Sequence, residues 1–169
     1  NRIDITELRK IEELRHSARS DALTGLGNRA AYLERVGELA RRETSLGVAF
    51  IDLNELKYVN DNYGHSQGDA YICALSMVFC RHFRMDDIFR IGGDEFVVID
   101  NTLAEDDFKA AVYAVQKTME HDGISCSVGI SWRNSQYNIR EQIDEADRFM
   151  YEQKRKFYCQ RQHDRRKCR

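Results

Sequence analysis

Proline is absent from this chain, and no apolar run in its 169 residues approaches the roughly eighteen that a membrane-spanning helix requires. The lack of proline carries no functional message. The lack of a long apolar run excludes a membrane span within these residues, and no secretory leader is visible. The first residue is not Met, so we expect a longer protein with an upstream sensor domain. The chain itself is expected to be cytoplasmic, with any membrane tether belonging to that sensor.

Metal-binding cysteine patterns are also missing. The five cysteines include no Cys-x-x-Cys, and no histidine pair has zinc spacing. An odd count argues against a disulfide framework. Cys73, Cys80 and Cys126 lie in apolar stretches and read as small core residues in a reducing compartment, whereas Cys159 and Cys168 sit in a polar tail. A net charge of −2 argues against a whole-protein nucleic-acid footprint, so no nucleic-acid partner is expected. What is present, 42% hydrophobic and 32% charged residues, suffices for one globular domain with a core.

The segment Phe89-Arg90-Ile91-Gly92-Gly93-Asp94-Glu95-Phe96-Val97-Val98-Ile99-Asp100 sets two short apolar runs around a Gly-Gly pair. Such a pair is a favoured hairpin centre because both positions tolerate φ > 0. The adjacent carboxylates at this turn admit two readings. One is a solvated hairpin tip. The other is a site where glycines let a ligand approach the backbone while Asp94 and Glu95 hold a hard divalent cation. Upstream, Val48-Ala49-Phe50-Ile51 reads as a buried strand ending in Asp52. Asp52 is either an N-cap for the next helix or a partner of the acidic pair. Two strands that each bring a carboxylate to one sheet edge suit metal-assisted phosphoryl transfer.

Residues 1–18 read as a polar helix with Leu8, Ile11, Leu14 and Ala18 at three- and four-residue steps. It is too narrow to stand alone, so it either pairs with a partner helix or caps the domain. Asn28 caps a helix over 29–42, with Ala30, Leu33, Val36, Leu39 and Ala40 inward. A short helix through Tyr58 follows Asp52, and the turn formers from Asn60 to Asp69 read as a structured loop. A helix from about 68 to 83 turns Ile72, Leu75, Phe79 and Phe83 inward. Helices over 105–120 and 139–157 and a strand over 124–131 complete the order, with Phe108, Ala111, Val112, Val115, Met119, Ile143, Ala146 and Met150 packing. His65, alone in a Gly-rich loop, reads as a local hydrogen-bonding residue. The hairpin interrupts the strand–helix alternation, which predicts an α+β fold with helices covering a largely antiparallel sheet.

Four blocks now stand in order: Asp21-Ala22-Leu23-Thr24-Gly25-Leu26-Gly27-Asn28-Arg29, Asp52-Leu53-Asn54-Glu55-Leu56-Lys57-Tyr58-Val59-Asn60-Asp61, Tyr63-Gly64-His65-Ser66-Gln67-Gly68-Asp69 and Gly92-Gly93-Asp94-Glu95-Phe96. Together they resemble the GGDEF family, the diguanylate cyclases, over about residues 20–157. The resemblance implies a ferredoxin-like, palm-type sheet, a signalling helix over 1–19, a catalytic domain over 20–157 and a basic tail over 158–169. It implies condensation of two GTP into cyclic di-GMP and two pyrophosphates, across a homodimer in which each nucleotide attacks the other. Mg²⁺ or Mn²⁺, two per site, would be held by Asp52, Asp94, Glu95 and the Leu53 carbonyl. Asp94 and Glu95 form the implied catalytic set, with Glu95 either a ligand or the group that helps deprotonate the 3′-hydroxyl.

The resemblance also assigns Lys57 and Lys154 to the phosphates, Gly92 and Gly93 to close backbone approach, and Asn60 and Asp69 to guanine. A carboxylate and an amide do match guanine's adjacent donors and carbonyl, whereas adenine would set an acceptor against Asp69. The structural alternatives are a helix cap for Asp69 and solvated helix positions for the lysines. The functional alternative is a non-catalytic GGDEF module that binds GTP or dimerises to relay a signal; the intact motif favours catalysis.

The match fails in places. The family's inhibitory Arg-x-x-Asp window here reads Phe83-Arg84-Met85-Asp86, so Asp86 is present but Phe83 replaces the arginine. Phe cannot make bidentate guanine or phosphate contacts, which predicts weak or absent product inhibition. Lys156-Phe157-Tyr158 stands where the family has Gly-Arg-Asn, which puts a third phosphate contact in doubt. Arg161, Arg165, Arg166, Lys167 and Arg169 form the basic tail, expected to be disordered or a linker.

Overall fold

The computed structural model describes residues 5–135 and 138–167, without the side chains of residues 8, 11, 13, 15, 16 and 162–167. Leu8 and Ile11 of the helical stripe, Cys168 and the basic side chains 165–167 and 169 therefore lie outside the described residues. Four strands form one antiparallel sheet in the order β2-β3-β1-β4, with β1 at Leu46–Leu53, β2 at Ile88–Arg90, β3 at Glu95–Asp100 and β4 at Cys126–Arg133. β1 pairs with both β3 and β4, so it is central, and all eight of its residues are buried.

Helices on both faces explain that burial. α2 (Arg29–Leu39) and α6 (Ile139–Lys167) share a cluster with Val48, Phe50, Val97 and Ile99. α4 (His65–Phe79) and α5 (Glu105–His121) pack with Ala49, Ile51, Phe96 and Val98 on the other face. The alternation along β1 and β3 sends successive side chains to opposite faces, and both faces are dry. Phe79 lies 5.8 Å from Phe96 between ring centroids, and both are fully buried, so Phe→Ala at either would cost about 3–5 kcal/mol. α1 (Ile5–Arg19) precedes the sheet, and α3 (Leu56–Tyr63) bridges β1 and α4. No helix among the described residues is long and apolar enough to cross a membrane.

One close approach sets the position of α6. A Cβ on Gly129 of β4 would fall 1.9 Å from the Ala146 carbonyl oxygen and 2.2 Å from the Met150 nitrogen. Backbone therefore rests on backbone, and only glycine permits it. This seating carries the next turn of α6 to the end of β1.

Several local expectations change. The loop from Asn60 to Asp69 is helical except at Gly64, whose φ of 87° separates α3 from α4. The stretch has high hydrogen-bonding capacity, but it lies between two apolar turns that pack on the sheet, and packing overrides turn propensity. α4 starts at His65 and ends at Phe79, although Phe83 stays buried beyond it. α2 turns Ala31, Tyr32 and Leu39 inward, while Leu33 is 58% exposed and Ala30 and Ala40 are exposed. Cys126 is buried as expected, but Cys73 on α4 is half-buried and Cys80, which caps the C-terminus of that helix, is exposed. α6 passes the expected end at Phe157 and continues to Lys167, through the stretch expected to be disordered. No proline or glycine interrupts it there.

Candidate active site

The acidic residues meet where β1 ends. Asp52 stands opposite Glu95 in the β1–β3 register, and the next amide, Leu53 N–H, donates to the Asp94 carbonyl at 3.0 Å. Asp52 faces the α6 side of the sheet, where Lys154 Nζ donates to its Oδ2 at 2.7 Å. Asp52 is only 2% exposed, and its Oδ1 is buried without a hydrogen-bond partner. Burial pushes this carboxyl up to about 6, with Asp94 and Glu95 adding to the rise and Lys154 opposing it. Burial disfavours the Lys154 ammonium, yet the Asp52 and Asp94 carboxylates hold its pKa above the ordinary value. Both partners are therefore charged at neutral pH.

The hairpin is not the turn that Gly-Gly suggested. Neither Gly92 nor Gly93 has positive φ, and residues 91–94 form a wider connection closed by the Ile91 N–H donating to the Glu95 carbonyl at 3.0 Å. At Gly92 a Cβ would meet only the tip of the exposed Glu95 side chain, Oε2 at 2.6 Å, which can swing aside. Gly93 has open space around it, and its carbonyl accepts from Arg90 Nη2 at 2.9 Å and Nε at 3.3 Å. Arg90 is held in turn by Asp21, at 3.1 Å to Oδ1. The first sequence block thus braces the acidic loop from below. Arg90 was missed in the sequence; an arginine two residues before the Gly-Gly pair, in an otherwise apolar strand, was its signal.

The turn from β1 to α3 is pinned as well. Asn54 N–H donates to the Ser125 carbonyl at 2.9 Å, its Nδ2 donates to Ser125 Oγ at 2.9 Å, and its Oδ1 accepts from Ser127 at 2.8 Å. Further on, Lys57 is exposed, as is Asp69 in the first turns of α4. Asn60 Oδ1 is buried without a partner and occupies the space a side chain at Gly68 would take, beside Asp69. The structure thus gathers Asp52, Leu53, Asp94, Glu95 and Lys154 at one sheet edge, with Lys57, Asn60 and Asp69 on the adjoining helices.

A divalent cation fits this donor set. The orphaned Asp52 Oδ1 is a hard oxygen that feels the charges of Asp94 and Glu95, and Lys154 engages only the other oxygen. Among the described residues no group of three or more His, Cys, Asp or Glu side chains is placed to hold a metal ion by itself. Mg²⁺ takes only one or two protein carboxylates when substrate phosphates complete its shell, so two converging acids suffice.

Residues 18–158 match the family described as "Diguanylate cyclase, GGDEF domain". The chain belongs to the GGDEF family. The GGDEF domain is 33% identical over 153 residues to Diguanylate cyclase DgcS of Shewanella oneidensis, covering 85% of this chain and 52% of that protein. It is also 31% identical over 156 residues to Cyclic di-GMP phosphodiesterase PdeB of the same organism, covering 85% of this chain and 18% of that protein. The chain thus spans about half the length of the first relative and much less of the second. Among solved structures it is similar to the diguanylate cyclase SiaD of Pseudomonas aeruginosa in complex with its activator SiaC. The TM-score there is 0.75 at 25% identity, covering 89% of this chain and 64% of that one. The palm-type α+β fold of the GGDEF domain is therefore shown both by its sheet and by its neighbours.

The family's inhibitory window lies apart from this edge. Phe83 is buried in the core, 5.7 Å from Phe108 between ring centroids, while Arg84 and Asp86 line a cavity of about 890 Å³ beside α1 and α2. The apolar side chain at 83 extends the core of the GGDEF domain.

Proposed function

We propose that this domain is a diguanylate cyclase, condensing two GTP into cyclic di-GMP with release of two pyrophosphates. The observation that carries the proposal is Asp52: a carboxylate buried in a sheet, with one oxygen on Lys154, one oxygen unpartnered, and Glu95 directly across the register.

Asp52, Asp94, Glu95 and the Leu53 carbonyl would hold Mg²⁺ or Mn²⁺, which when bound neutralises triphosphate charge and lowers the pKa of the attacking hydroxyl. Lys154 and Lys57 bind terminal phosphates as point charges and draw off charge from the leaving pyrophosphate. Asn60 and Asp69 read the guanine, and the open space at Gly93 admits the phosphates to the backbone. The 3′-oxygen of one GTP attacks the α-phosphorus of the other, the bond to the pyrophosphate breaks, and the hydroxyl proton passes to Glu95 or to solvent. One domain holds one GTP, so two copies must face each other, and dimerisation controls the rate. Leu14 of α1 is 63% exposed and Ala18 is exposed, which supports α1 as the pairing helix joining this domain to an upstream sensor.

Incubating the protein with GTP and Mg²⁺ and resolving products by chromatography tests the proposal: cyclic di-GMP accumulates, and Glu95→Gln abolishes it. GTP binding without product at dimer-forming concentration would instead favour a non-catalytic module that relays a signal. That second reading draws on the similarity to a protein named as a phosphodiesterase.

A further inference from the structure

Glu55 is the only non-glycine residue with positive φ among the described residues, at 61°, and it forms the N-cap of α3 with no side-chain cap bond of its own. An L-residue in this left-handed region carries steric cost, so something around it must hold it there. Two groups from α6 do so. Glu55 N–H donates to the Tyr158 hydroxyl at 3.1 Å, and the Glu55 carboxylate pairs with Arg161. Lys154, Tyr158 and Arg161 are spaced i, i+4 and i+7, one face of the helix, and all three reach the segment from Asp52 to Glu55. Arg161 lies past the end of the matched family span, on the part of α6 that replaces an expected tail.

The geometry points to Tyr158 and Arg161 as positioning residues that hold the Glu55 turn, and with it the start of α3, so that Lys57 and Asn60 are presented to a nucleoside triphosphate. The nucleotide part rests on the cyclase reading; the turn itself does not. Glu55 sits between the metal-edge carboxylate and the two α3 residues, so a slackened turn moves Lys57 and Asn60 relative to Asp52. The first bond of α3 reports on it directly, because Val59 N–H donates to the Glu55 carbonyl at 3.0 Å. Arg161 acts through Glu55, with its guanidinium engaged there, and is not assigned to the phosphates.

The test is a double-background comparison on the full chain. Tyr158→Phe with Arg161→Gln is made in the native protein and again in Glu55→Gly, where glycine adopts positive φ unaided. Amide exchange of Val59 is followed without nucleotide, and GTP affinity is titrated with Mg²⁺ present. In the native background Val59 exchange rises and GTP affinity falls by about five- to ten-fold, the scale of one lost polar contact. In the Glu55→Gly background both change by less than about two-fold. Equal penalties in both backgrounds would overturn the inference, because the two side chains would then act on the nucleotide directly. Unchanged Val59 exchange in the native background, or faster exchange of Phe50 in central β1 as well, would also overturn it. A protein that binds no GTP sinks the cyclase reading, while exchange at Val59 still decides this one.

Discussion

Three aspartates are buried among the described residues, and they are treated differently. Asp100 closes β3 and accepts from Thr102 N–H at 2.8 Å, Leu103 N–H at 2.7 Å and the Thr102 hydroxyl. Asp87, at the opposite end of β2 from the acidic loop, is met by Arg35 at 3.3 Å, and the same arginine reaches Asn101 at 3.1 Å. Of the three, only Asp52 has an oxygen that is fully buried without a hydrogen-bond partner. Asp100 is where desolvation is met by several donors, whereas burial and the neighbouring Asp100 still raise the pKa of Asp87 despite Arg35, and both carboxylates tie chain segments together. The third sits where the fold leaves desolvation partly uncompensated, which is costly for stability and useful to a cation. Buried charge by itself marks neither role; what sets Asp52 apart is its fully buried bare oxygen next to the acidic loop.

The sharpest separation comes from removing one charge at a time. Asp52→Asn lowers the rate of cyclic di-GMP formation by about 10²–10³-fold, while urea unfolding shows stability unchanged or increased. A stability loss at Asp52 as large as at Asp100 would erase the distinction.

The pH dependence of the metal-free protein separates them next. The Asp52 carboxyl is raised from 3.8 to about 6 by burial, so between those values the folded chain holds a proton that the unfolded chain has released. Its contribution to stability is therefore present below about pH 4 and is lost as pH rises through about 6. Measured against Asp52→Asn across that window, the native protein loses up to about 3 kcal/mol relative to the variant. A flat difference between the two would show that Asp52 is not desolvated.

Asp100→Ala, which strips three donors of their acceptor, costs about 2–3 kcal/mol by urea unfolding. Its cyclase rate per folded molecule stays near that of the native chain. Smallest of all is the effect of product. With Phe83 in the core, added cyclic di-GMP leaves the initial rate unchanged in a GTP assay, and strong non-competitive inhibition would refute this.

Much of the fold was legible because its signals are local. β1, β3 and α5 appear as apolar runs or periodic stripes close to where they stand, and the antiparallel α+β class follows from the hairpin breaking the alternation. The legible part of the candidate site was the acidic motif. Less legible were features set by contacts distant in sequence. The Asn60–Asp69 stretch looked like a loop because its side chains favour turns, yet packing makes it two helices broken at one glycine. Gly92 and Gly93 suggested positive φ, and neither adopts it, because residues 91–94 make a wider connection than a two-residue turn. Arg90, Tyr158 and Arg161 went unrecognised because each acts on a backbone group or carboxylate many residues away.

By itself the sequence determined the family, the order of elements and which carboxylates are available, because those depend on residue identity and short-range spacing. Tertiary structure alone decided that Asp52 has one satisfied oxygen and one bare one, and that α6 runs on to clamp Glu55. Those outcomes depend on how closely α6 can lie on β4, and that is set at Gly129, where backbone touches backbone. Desolvation and partner count are properties of the packed chain, so no local pattern encodes them.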